Sequence, residues 1–180
     1  VFEKINLVDG IILRPLALAD AKELASAYVR NRTHLDPWEP TRDSEYFTET
    51  AQSEDIAGRI ASSEAGSGYS LGLFDGTTIV GRFNLQGIVR GPFQSASLGY
   101  WVDGQYAGKG LATATVKAIV RIARDDLDLH RVEASTLLHN HASQRVLINA
   151  GFLQIGMAPQ YLKIAGRWQD HNLYQTILHD

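Results

Sequence analysis

Stretches of two-residue alternation and of helical spacing follow one another along this chain, and they predict its elements in order. Residues 5–14 (INLVDGIILR) predict a hairpin or bent strand turning at Asp9-Gly10 and ended by Arg14-Pro15. Asp20 and Glu23 have capping-box spacing, and Leu24 and Tyr28 share a face, so a helix runs to about Arg32. Residues 31–40 (NRTHLDPWEP) hold two prolines and read as a loop or broken helix. A helix follows over residues 44–63. Its apolar positions Phe47, Ala51, Ile56 and Ile60 are only partly periodic, which places it on the surface. Strands are expected at 69–74, 78–89 and 95–102. Asp75-Gly76 turns the first pair, Gly91-Pro92 breaks the second, and Gly81 and Gly87 are bulge candidates. Such short connections make an antiparallel meander.

The helix expected over 109–126 is apolar around most of its girth (Leu111, Val116, Ile119, Ile122, Ala123), so it packs against a sheet. A strand at 131–137 follows. Asn140 then caps a helix that Gly151 stops. A strand at 152–157 and a hairpin of 161–164 with 167–178, around Ala165-Gly166, complete the chain. This order predicts an α/β protein of the α+β type, a mixed and mostly antiparallel sheet with helices on both faces. One domain spans residues 1–180.

Composition narrows the function. A net charge of -3 gives no bulk electrostatic case for nucleic acid or an anionic membrane. The absence of cysteine excludes disulfides, thiolate metal sites and a cysteine nucleophile. No metal site is expected. No apolar run approaches the roughly 18 residues that cross a bilayer, and no signal peptide is visible. The expectation is a cytoplasmic protein, although the chain opens on Val1 rather than methionine, as after trimming.

The candidate chemistry centres on LGYWVDGQYAGKGLA, residues 98–112. A strand feeds a glycine loop into a helix start, where unpaired N–H groups and the helix dipole favour an anion such as a pyrophosphate. A P-loop would follow Gly108-Lys109 with Ser or Thr, but Gly110-Leu111 follows. A dinucleotide loop needs G-x-G-x-x-G in a parallel unit, and neither the spacing nor the preceding meander fits. Gln105, Gly108 and Gly110 match the Q/R-x-x-G-x-G/A loop of the GNAT acetyltransferases.

The segments GYWV, QYAGKGLAT, LHRVEA, NHASQRVLINAGF and YLKIAGRWQDHNLY extend that match. Together they resemble the RimJ/RimL branch of the superfamily, and NRTHLDPWEP is similar to its early helix-loop. The resemblance implies a GNAT fold whose central strands splay apart near Val102 to form a cofactor cleft. It implies that the pantetheine arm of acetyl-CoA pairs with backbone of Trp101, Val102 and Asp103. The pyrophosphate would lie on the loop from Gln105 through Gly108, Lys109 and Gly110 to Leu111 and Ala112. It also implies direct attack of an amine on the thioester, in keeping with the missing cysteine and serine elbow. Ser143 resembles the family serine that serves the departing thiolate, with Asn140 bonding the cofactor or an ordered water. Read from spacing alone, the same two residues are an N-cap and its third helical position.

A base is less evident. Related enzymes often carry a glutamate on the strand before GYW, where this chain has Ser95-Ala96-Ser97. Glu133 beside Arg131 reads as a structural ion pair. His34 suits proton removal, because imidazole titrates near neutrality, and it shares a proline-rich, wall-forming loop with Trp38 and Glu39. Tyr100 and Trp101 alternate on a strand, so at most one faces the cleft. His34, Trp38, Glu39 and Tyr100 are the expected acceptor-site residues. Asp170 and His171 are adjacent on a strand, which opposes joint action.

The expected activity is acetyl transfer to a primary amine, foremost the N-terminal α-amine of a protein such as a ribosomal protein. A small-molecule amine, a silent acyl-CoA sensor and a plain nucleotide-phosphate binder are the alternatives. The resemblance also allows a homodimer.

Overall fold

A computed structural model describes residues 3–179; Val1, Phe2 and Asp180 lie outside the described residues. Eight strands form one sheet: β1 (Ile5–Asn6), β2 (Ile12–Pro15), β3 (Gly68–Asp75), β4 (Thr78–Val89), β5 (Ser95–Val102), β6 (Arg131–Leu137), β7 (Leu153–Ile164) and β8 (Arg167–Ile177). Their spatial order is β1-β2-β3-β4-β5-β6-β8-β7. Every neighbouring pair is antiparallel except β5 with β6. The helices are α1 (Ala21–Arg30), α2 (Arg32–Leu35), α3 (Glu49–Glu64), α4 (Leu111–Asp125) and α5 (His141–Asn149).

Strand alternation divides the core in two. Leu73, Phe83, Leu85 and Leu98 pack with Val116, Ile119 and Ile122 of α4 and Leu147 of α5. Phe74, Ile79 and Trp101 pack on the other face with Leu24 and Tyr28 of α1 and Ile56 of α3. Two covered faces explain why so many strand residues are apolar at consecutive positions.

Several boundaries differ from the sequence expectation. The capping box at Asp20 does not form. Asp20 accepts instead from Ala17 N (2.8 Å) and from both terminal nitrogens of Arg14 (2.8 Å each). Glu23 accepts from Ile79 N and Arg30. A two-pronged bond from Arg14, six residues back, thus outcompetes the cap. The helix expected over 44–63 is a short 3-10 turn, Glu45–Phe47, followed by α3, because the Thr48 hydroxyl caps α3 by accepting from Ala51 N. The expected strand pieces 152–157 and 161–164 are one strand, β7, whose register shifts near Gln154 and after Ala158 absorb Pro159. Gly81 and Gly87 both sit at register shifts of β4. A Cβ on Gly81 would lie 2.8 Å from the Trp101 carbonyl oxygen, so the close approach of β4 to β5 requires glycine there.

Candidate active site

The one parallel pairing creates the site. β5 and β6 pair only from Ser95↔Arg131 to Ser97↔Glu133. Beyond that, Leu98–Val102 and Ala134–Leu137 have no ladder partner in each other, and the strands diverge. The wedge therefore opens earlier along β5 than the expected point near Val102. Along β5, Asp103 N donates to Val80 O (2.9 Å). Backbone direction alternates along a strand, so the N–H groups of Val102 and Tyr100 face the opening while that of Trp101 faces β4.

The strand runs directly into the anion loop. Gly108 (φ 76) and Gly110 (φ 78) are both left-handed, and an added Cβ would meet nothing within 4 Å at either. Glycine is thus needed for conformation, and the space above the loop is open. Gly110 caps α4, whose first N–H groups lack intrahelical acceptors and point into that space. Leu111 is buried in the core, so it offers only its backbone; Ala112 follows it in the first turn. Lys109 rests its ammonium 5.4 Å from the Tyr106 ring centroid, at the rim of the loop.

Asp103, expected on the cofactor, is already committed. Its N–H goes to Val80 O and its carbonyl accepts from Tyr106 N. Its carboxylate accepts from Gln105 N (2.9 Å) and from Asn31 Nδ2 (2.8 Å). Trp101 likewise pairs by register with Arg82 of β4 and donates its indole N–H to the Tyr28 hydroxyl (3.2 Å) on the opposite face from α4. Of the three strand-end residues, Val102 has the main-chain group turned to the opening.

Tyr100 and Ser143 meet across the wedge. The Tyr100 ring stacks on Phe83 (5.2 Å between centroids, 6° between planes), and its hydroxyl lies 2.9 Å from Ser143 Oγ. Burial pushes the Tyr100 phenol up to about 12, against the lowering effect of its bond to Ser143. Asn140 is the N-cap of α5, its Oδ1 accepting from Ser143 N (3.2 Å). The cap aligns the first turn so that the Ser143 hydroxyl reaches Tyr100.

The segment after α1 forms the other wall. His34 Nε2 lies 3.2 Å from the Val102 carbonyl oxygen. A carbonyl only accepts, so Nε2 carries the proton and Nδ1 holds the lone pair of the neutral ring. The ring lies over Gly104, where an added Cβ would come within 3.4 Å of it. Trp38 packs on His139 from the loop after β6 (5.4 Å between centroids). The carbonyl of Glu39 accepts from Ala165 N in the β7–β8 turn (2.9 Å). Loops from three parts of the chain thus enclose the mouth. The Glu39 carboxyl lines a water-sized hollow with Tyr28, Tyr46, Arg32 and Arg42. Burial pushes it above the usual carboxylate range, opposed by the nearby Arg42 and Arg82 guanidiniums and reinforced by Asp36.

Other candidates are placed elsewhere. Glu133 pairs with Arg131 (3.3 Å). Asp170 accepts from Gln160 N, while the buried His171 ring bonds to Gln169 O, so they do not act as a pair. Sequence reasoning missed Tyr28, Asn31, Arg82 and His139, which brace the site through contacts between elements remote in sequence. Among the described residues there is no cluster of three or more potential metal-ligating side chains and no helix long and apolar enough to cross a membrane.

Residues 11–153 match the family model of the acetyltransferase (GNAT) domain. The chain belongs to the GNAT acetyltransferase family. It is an N-acetyltransferase of the RimJ/RimL-like branch. The Escherichia coli (strain K12) [ribosomal protein uS5]-alanine N-acetyltransferase is 34% identical over 92% of this chain and 86% of its own length. The Vibrio fischeri ribosomal-protein-S5-alanine acetyltransferase superposes with a TM-score of 0.95 at 29% identity, covering 99% of this chain and 98% of that one. Mycobacterium smegmatis RimJ, solved with a CoA-disulfide, gives 0.89 at 29% identity over 93% and 81%. The mixed sheet with its splayed centre is therefore the GNAT fold, as the glycine loop and the segments around it imply.

Proposed function

We propose that this GNAT enzyme transfers the acetyl group of acetyl-CoA to the N-terminal α-amine of a protein, with a ribosomal protein beginning with alanine as the foremost acceptor. The observation that carries the reading is the Tyr100–Ser143 hydrogen bond across the wedge between β5 and β6. It sets a polarised hydroxyl where a leaving group between the strands needs a hydrogen bond. The acceptor assignment draws on the relatives named for uS5 alanine.

The residues suit such a cofactor. Gly108 to Ala112 present backbone N–H groups and open space for a pyrophosphate, and Val102 turns its main chain to the arm that enters the wedge. Acetyl-CoA supplies an acyl thioester to that wedge. His34 holds a lone pair on Nδ1 and can take the proton that the amine sheds as its bond to the acyl carbon forms. Val102 N–H is placed to meet negative charge growing on the acyl oxygen. Ser143, held by Tyr100, donates a hydrogen bond or proton to the sulfur as its bond to carbon breaks. Trp38 and Glu39 bound the entrance through which the amine comes.

Thiol release from acetyl-CoA, measured with peptides beginning with alanine or serine, with the same peptides blocked at the α-amine, and with small primary amines, tests this. Turnover confined to free α-amines of peptides is expected. Equal turnover of small amines, or of blocked peptides through lysine, would reject the protein N-terminal acceptor.

A further inference from the structure

Asn31 stands between the two halves of the site. It interrupts the helix between α1 and α2 (φ -100, ψ 7) and is 3% exposed. Its Nδ2 donates to Ala27 O (3.0 Å) and to Asp103 Oδ2 (2.8 Å), and its Oδ1 accepts from Gly104 N (3.0 Å). Its main-chain carbonyl accepts from Leu35 N (2.8 Å), which closes the turn carrying His34. One amide side chain therefore ties that turn to the residues joining β5 to the anion loop. Arg30 adds a longer contact to the same Asp103 carboxylate (3.9 Å) and bonds Ile79 O (2.9 Å).

We infer that Asn31 is a positioning residue for transfer, holding His34 at the Val102 carbonyl by locking the α2 turn to Asp103 and Gly104. This rests on the role given to His34 above. A cap or turn residue needs local bonds only. Asn31 reaches 72 and 73 residues along the chain to the segment that bears Val102, and both of its side-chain polar atoms are engaged there. With the clamp intact, the His34 ring lies over Gly104 and keeps Nε2 on the carbonyl, so the tautomer with its lone pair on Nδ1 is maintained. Without it, Gly104 N–H loses its acceptor, the Asp103 carboxylate keeps only Gln105 N and the longer Arg30 contact, and the turn is free to shift. A displacement of about 1 Å in such a wall is enough to slow a reaction by up to roughly a hundredfold.

The test is a double-mutant cycle with acetyl-CoA and a peptide beginning with alanine, or with whichever primary amine the unsubstituted enzyme turns over. Asn31→Ala is expected to lower kcat about tenfold or more, while the KM for acetyl-CoA stays within about threefold. In a His34→Ala background the same substitution should add little further loss. The exchange Asn31→Asp with Asp103→Asn re-forms a donor–acceptor pair between the two positions and keeps acceptors for Gly104 N and Gln105 N, while the bond to Ala27 O is lost in Asn31→Asp and in the exchange alike. It should recover much of the kcat that Asn31→Asp alone loses. Losses that multiply in the double variant, or an exchange no better than its single substitutions, would overturn the positioning role while leaving His34 in place. A His34→Ala enzyme with undiminished kcat would overturn the role of His34 and this inference with it. Thermal melts of each variant separate these outcomes from a loss of folded protein.

Discussion

The hydroxyl of Tyr100 and the Oγ of Ser143 lie 2.9 Å apart, bridging a strand and a helix that sit on opposite sides of the opening in the sheet. Tyr100 is aimed by its stack on Phe83, and Ser143 by the Asn140 cap. Ser143→Ala should reduce kcat at least tenfold with little change in acetyl-CoA affinity, and Tyr100→Phe severalfold less. With the phenol raised to about 12, Tyr100 remains protonated up to about pH 11, so Tyr100→Phe should leave the alkaline limb of the rate profile where it was. A profile that shifts in Tyr100→Phe would mean that Tyr100 itself titrates during turnover.

The anion loop can be probed through its backbone. Gly110 has φ 78 with open space where a Cβ would go. Gly110→Ala therefore incurs conformational strain rather than a clash, and about 1 kcal/mol of stability should be lost in urea unfolding. The added methyl also enters the space above the first N–H groups of α4, so CoA binding measured by calorimetry should weaken at least severalfold. Unchanged CoA affinity would place the pyrophosphate elsewhere.

Glu39 offers a test of sign. Its folded pKa is raised, with burial the main cause, so the ionised form is disfavoured in the folded protein. Its contribution to stability is present at low pH and is lost as pH rises through the folded value. Glu39→Gln should thus raise the Tm at pH 8 and change it little at pH 3, where the carboxyl is protonated in both states. A stabilisation that is the same at both pH values would show that the charge is not its source.

Arg82 is 3% exposed beneath the acceptor wall and reaches Asp55 (2.5 Å), Ser70 Oγ (3.1 Å) and Tyr28 OH (3.4 Å). Arg82→Met removes a donor from each of these groups, although Tyr28 OH keeps the Trp101 indole N–H and Asp55 keeps Arg59. Because Asp55 is partly solvated, the expected loss is about 2–3 kcal/mol, toward the lower end for a broken buried pair. Arg82→Lys should recover only part of it, since one ammonium cannot span three acceptors in a fixed fork. Chemical denaturation of the two variants measures both.

Much of the fold was legible because its signals are local. The Asp75-Gly76 turn, the glycines of the anion loop and the broad apolar girth of α4 each follow from short-range stereochemistry or periodicity. The Asn140 cap was legible for the same reason. Asp20 misled because a residue of the right type at the right spacing found a stronger partner in Arg14. The engagement of Asp103 was not legible either: its backbone and carboxylate are taken up by Val80, Tyr106, Gln105 and Asn31, and two of these, Val80 and Asn31, lie outside any local pattern. The tautomer of His34 was beyond reach as well, since it depends on a carbonyl 68 residues away.

The sequence by itself determined the order of elements, the glycine loop at the head of a helix and the membership of the GNAT family, all of which rest on neighbours along the chain. Only the tertiary structure decided where the sheet opens, which strand-end groups remain turned to that opening, and that Tyr100 meets Ser143, His34 meets the Val102 carbonyl and Asn31 meets Asp103 and Gly104. The physical reason is that hydrogen-bond partners are assigned by competition among groups brought together by packing, and that competition is settled only when the whole sheet has formed.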